Sequence, residues 1–147
     1  MKALFDASSI LMAIRRYGSR AYEVLRGSYT ISLALYKVGN AVWKESTLLG
    51  TLSVVEAKDV LKAAYALIER MNIVAPRDPI LVLTVAHELR TTFYDSAYVV
   101  AASENHLTLI TEDKKLARKV NKEAKRLAEL LGEEPRVLSL DQLQEPG

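Results

Sequence analysis

The sequence predicts an α/β domain built on a mostly parallel sheet with helices on both faces. Three observations carry this reading. Short apolar runs alternate with amphipathic helical patterns along the chain. The breakers Gly18, Gly27, Gly50, Pro76, Pro79, Gly132 and Pro135 are thinly spread and mark no linker, so residues 1–147 read as a single domain. A length of 147 residues suits one such domain, which buries about two-thirds of its unfolded surface without a disulfide or structural metal.

Four apolar runs read as strands: Ala3–Phe5, Tyr29–Ile31, Leu107–Thr111 and Val137–Leu140. Between them, Ala57, Val60, Leu61, Ala64, Leu67, Ile68 and Met71 fall at the spacing of one buried helix face. Ser53 with Glu56 forms a capping box at the start of that helix. Asp78 before Pro79 reads as an N-cap with proline at the first helical position. Leu116, Val120, Ala124, Leu127 and Leu131 form the stripe of one late helix ended by Gly132.

Composition narrows the chemistry. The chain has no cysteine, which excludes disulfides, thiolate catalysis and Cys-based zinc sites. No apolar run approaches the roughly 18 residues of a membrane span and the N-terminus lacks a signal-peptide pattern, so a cytoplasmic protein is expected. A formal charge of +2 is too mild to argue for nucleic acid by itself.

In a parallel sheet, ligands bind beyond the carboxyl ends of the strands. Asp6 directly follows the first strand, and Ser8 lies at the start of the next helix. Asp113 follows the strand bearing Thr111, and Asp95 opens the helix that leads into that strand. Clustered carboxylates repel, so their convergence makes sense with a cation between them. Oxygen-only ligands favour Mg²⁺ or Mn²⁺, and such ions suit phosphate chemistry. Each acid also has a structural role open to it. Asp6 and Ser8 are possible N-caps, Thr92 and Asp95 make a capping box, and Asp113 suits a helix N-terminus.

Four segments carry a resemblance. Phe5–Ser9, Leu35–Lys44, Tyr94–Tyr98 and Leu109–Leu116 closely resemble, in order and spacing, the four motifs of PIN-domain proteins, best those of VapC toxins. The likeness runs from about Lys2 to Leu140; no single motif is specific, but the ordered set is. It implies a Rossmann-like, three-layer α/β/α sandwich and a metal-dependent endoribonuclease. By resemblance, Asp6, Asp95 and Asp113 are catalytic and hold Mg²⁺ or Mn²⁺, with Ser8 and Thr111 supporting and Asn40 facing the pocket. The partners implied are an RNA substrate, a small VapB-type antitoxin whose tail occupies the groove, and a second copy in a homodimer.

One position departs from the pattern. Lys37 stands where the family has glutamate, and the flanking residues forbid sliding the alignment. Glu45, eight residues on and about 80° around the helix, is a poor replacement. At about 5 Å and an effective dielectric near 20, two unit charges interact by roughly 3 kcal/mol. An ammonium in the pocket opposes a dication, stands in for one metal by pairing with Asp6 or Asp95, or turns to water. The alternative reading is therefore a catalytically impaired module that binds RNA or an antitoxin without cutting. A phosphatase-like use of Asp6 as nucleophile is poorer, since such enzymes want a carboxylate where Ser8 stands.

Other residues read more plainly. His87 and His106 lack ligand partners and are expected to be structural or superficial. Glu112 is expected to face solvent. Lys114, Arg118, Lys122 and Lys125 form a basic stripe, solvated or on RNA phosphate, and Lys37, Asn40 and Lys44 share a face. Tyr17, Tyr22 and Leu25 are placed in an early helical hairpin.

Overall fold

In the computed structural model, which describes residues Lys2–Leu143, five short strands form one parallel sheet in the order β3-β2-β1-β4-β5. They are β1 (Ala3–Phe5), β2 (Tyr29–Ile31), β3 (Asn72–Val74), β4 (Thr108–Ile110) and β5 (Val137–Leu138). β1 is central, with Leu4 opposite Tyr29 on one side and Leu109 on the other.

Alternation along β1 explains the layers. Ala3 and Phe5 enter one core with Ile10, Val38, Ala64 and Leu67, while Leu4 enters the other with Val82, Val85, Val100 and Leu127. The first core is covered by α1 (Ala7–Tyr17), α3 (Leu33–Trp43) and α4 (Val54–Glu69). The second is covered by α5 (Pro79–Leu89), α6 (Phe93–Glu104), α7 (Lys114–Lys122) and α8 (Ala124–Leu131). This is the expected three-layer α/β/α sandwich.

The expected caps are in place. Ser53 and Glu56 complete a reciprocal capping box on α4, whose Ala57, Ala64, Leu67 and Ile68 are buried. Asp78 accepts from the Ile80 and Leu81 amides ahead of Pro79. The early hairpin is α1, a 3₁₀ turn (Gly18–Arg20) and α2 (Ala21–Leu25), with Leu25 buried and Arg70 over the Tyr22 ring.

Four expectations are corrected. β3 is not among the expected strands: it is a three-residue edge strand with Asn72 and Ile73 exposed, so it shows no alternation. The late helix is two helices, broken at Glu123 (φ −101°, ψ 19°), and the basic stripe breaks with it. The strand expected over Val137–Leu140 ends at Leu138, and a 3₁₀ turn (Leu140–Gln142) follows. The strand expected over Leu107–Thr111 is Thr108–Ile110, because the Leu107 amide closes α6 on the Ala102 carbonyl.

Candidate active site

Parallel register places the ends of β1 and β4 side by side, with Phe5 opposite Ile110. Asp6 and Thr111 therefore leave the sheet together. Asp6 is the N-cap of α1, and its Oδ1 accepts from the Ser9 amide (3.0 Å) and the Ser8 hydroxyl (2.7 Å). Thr111 donates its hydroxyl to Asp6 Oδ2 at 2.5 Å and accepts from the Asp113 amide at 3.0 Å. Ser8 Oγ also accepts from the Glu112 amide, closing a ring of polar contacts between the two strand ends. Asp6 is thus a helix cap as well as a cleft residue, whereas Ser8 lies inside α1 and is not its N-cap.

Asp6 is 6% exposed, and that burial pushes its carboxyl above the usual value, against hydrogen bonds from Thr111, Ser8 and Ser9 that pull it down. An ionised Asp6 is thus held at a cost that a neighbouring cation would offset. Asp113 caps α7 by accepting from the Leu116 amide (3.0 Å). Asp95 sits in the first turn of α6, where its amide donates to Thr92 Oγ1 (3.0 Å) and Thr91 lies 3.4 Å from its Oδ2.

One cleft of about 350 Å³ is lined by Asp6, Ser8, Lys37, Asn40, Asp95 and Asp113. Thr111 lies behind its wall, joined to Asp6. Lys44 also faces this cleft, so the three polar residues of the α3 face stay together. Lys37 makes no ion pair with an acid among the described residues; its Nζ rests 5.7 Å from the centre of the Tyr94 ring. Glu45 is bound by Arg15 at 2.5 Å and does not line the cleft, so it does not replace the missing glutamate.

Tyr98, also in the cleft wall, is a residue that sequence reasoning missed. It is 1% exposed, and no side chain among the described residues hydrogen-bonds its hydroxyl. Burial, with the charges of Asp6 and Asp95, raises its hydroxyl well above the ordinary tyrosine value. Its position three residues after Asp95 on α6 was the available signal. Glu112 is half-buried, and its Oε1 accepts from the Leu140 amide at 2.7 Å. His87 is exposed, and His106 is exposed against Glu133 at 3.0 Å.

Carboxylate, hydroxyl and amide oxygens without sulfur or imidazole suit a hard divalent ion. The buried Asp6 carboxylate is consistent with one. Among the described residues, no three acidic or imidazole side chains are gathered into a ready-made coordination shell. The donor types fit such an ion; the acids stand around the cleft rather than in contact.

The chain is 36% identical over 118 residues to exonuclease VapC9 of Pyrobaculum aerophilum, covering 79% of this chain and 84% of that protein. It belongs to the VapC family of PIN-domain proteins. Ribonuclease VapC3 of the same organism is 28% identical over 127 residues, covering 81% of this chain and 95% of that protein. The crystal structure of PAE2754 from P. aerophilum superposes with a TM-score of 0.68 at 29% identity, over 81% of this chain and 84% of that one. No protein-family model matches the chain.

Proposed function

We propose that this VapC-family chain is a metal-dependent endoribonuclease, the toxin of a toxin–antitoxin pair. The observation that carries the reading is the convergence of Asp6, Asp95 and Asp113 on one cleft. Relatives named as an exonuclease and a ribonuclease support nuclease activity; internal cutting and the metal are this reading's own. In the order of the family's motifs, the three aspartates stand at acid positions and Lys37 is the departure. Asp6, Asp95 and Asp113 would hold Mg²⁺ or Mn²⁺, which supplies an acidified water and polarises a phosphoryl oxygen. Thr111 and Ser8 fix the Asp6 carboxylate, and Asn40 and Lys44 face the RNA strand. Water adds to phosphorus, the bond to one ribose oxygen breaks, and that oxygen takes up a proton.

A second reading is favoured by Lys37 in the cleft wall. A cation there weakens a dication's hold, leaving a module that binds RNA or an antitoxin. Its Nζ lies 5.7 Å from the centre of the Tyr94 ring and in no ion pair among the described residues, so weakened and lost activity are carried equally. Cleavage of a fluorophore–quencher RNA in Mn²⁺ separates the readings. If the chain cuts, three aspartates suffice; if only Lys37→Glu cuts, the nuclease is disarmed at one position.

The partners proposed are a VapB-type antitoxin and a second copy of the chain in the cytoplasm. An apolar groove between α3 and α4, lined by Leu35, Tyr36, Leu61 and Tyr65, supports an antitoxin contact beyond the cleft. No helix among the described residues is long and apolar enough to cross a membrane.

A further inference from the structure

Asp95 and Asp113 line two clefts. The cleft described above sets Lys37 and Lys44 against Asp6, Asp95 and Asp113, so acids outnumber cations. The second cleft, about 400 Å³, sets Arg90, Lys115 and Lys119 against Asp95 and Asp113, so cations outnumber acids. Without a metal, the second cleft is the better site for a phosphate.

We propose that the Arg90–Lys115–Lys119 cleft is a phosphate subsite that holds the RNA backbone beside the acids without a metal ion. This rests on the nuclease reading above. Arg90 lies at the C-terminus of α5 in the left-handed conformation (φ 50°), and the Lys119 ammonium donates to its carbonyl at 2.7 Å. That bond fixes Lys119 in the cleft and leaves two of its three N–H groups for a phosphate. Arg90 and Lys115 are exposed, and neither pairs with an acid among the described residues. The Thr92 hydroxyl accepts from the Asp95 amide and keeps its own proton to donate. Because Asp95 and Asp113 line both clefts, a strand anchored in the second lies beside two of the three acids of the first.

The test is binding of a fluorescent, unstructured oligouridine in EDTA, followed against salt. For single strands, each phosphate neutralised by a protein cation steepens the dependence of log affinity on log salt by about 0.7. The full chain should bind without metal; Lys115→Gln should flatten the slope by about 0.7 and Arg90→Gln with Lys115→Gln by about 1.4. Lys62→Gln, on α4, should leave it unchanged, and the far-ultraviolet spectrum should show every variant folded. An unchanged slope in the double variant overturns the subsite, as does binding seen only with Mn²⁺; both leave the nuclease reading standing. Absence of RNA binding and cleavage in EDTA and in Mn²⁺ overturns both. Loss of poly-glutamate binding in the double variant, with its RNA slope intact, assigns the cleft to an acidic peptide and overturns the RNA subsite.

Discussion

Thr111 links two acids of the candidate site. It is 2% exposed, and one hydroxyl serves both Asp6 and the Asp113 amide. Thr111→Val keeps the shape but leaves buried partners unsatisfied, so a loss of about 1–3 kcal/mol is expected in urea unfolding. A loss below about 0.5 kcal/mol would show that water replaces the hydroxyl. Asp6 behaves in the opposite sense. Its folded pKa is raised, so ionising it lowers stability above that pKa, and the cost vanishes as pH falls through it toward the ordinary aspartate value. Asp6→Asn should therefore raise Tm at pH 7, with the gain shrinking on acidification, while removing any stabilisation by Mn²⁺. Calorimetry at neutral pH and at two acidic pH values checks this; a lower Tm at pH 7 contradicts it.

Among the elements, local chemistry decided what could be read in advance. The α4 capping box and the Asp78–Pro79 start of α5 were legible because each is contained within a few residues. Ser53→Ala should cost about 1 kcal/mol in urea unfolding, and an unchanged midpoint would show that the box adds nothing to α4. β3 was illegible because its pairing with β2, not its own pattern, makes Asn72–Val74 a strand. The break at Glu123 was illegible because neither glycine nor proline marks it, and the apolar stripe continues across it to Leu127. At the far end, Gly132 (φ 90°) stops α8 in the left-handed region that favours glycine, and that stop was visible.

For the whole molecule, the convergence of distant acids was readable only as a consequence of the predicted sheet. Asp6 and Asp113 lie after adjacent parallel strands, so topology brings them together. The second cleft was hidden, because Arg90 and Lys115 meet only when the C-terminus of α5 abuts the start of α7. Lys37 was visible as a departure, but its position over Tyr94 depends on how α3 and α6 pack. Ile80 (69% exposed) and Leu83 (57% exposed) lie at i, i+3 on α5 and form an exposed apolar face. If the proposed homodimer forms through this face, Leu83→Arg shifts light-scattering mass from dimer to monomer; an unchanged dimer contradicts this interface, and a monomeric parent chain contradicts the dimer.

If Asp6, Asp95 and Asp113 form a metal-dependent site that cuts RNA internally, a substrate without ends must be cut. The decisive experiment is the cutting of a closed circular single-stranded RNA in Mn²⁺ by this chain and by its Asp95→Asn variant. Linearisation by the chain, lost in EDTA and in Asp95→Asn, is the result expected. Equal cutting by Asp95→Asn, or a circle left intact by the chain in Mn²⁺, would contradict the assignment.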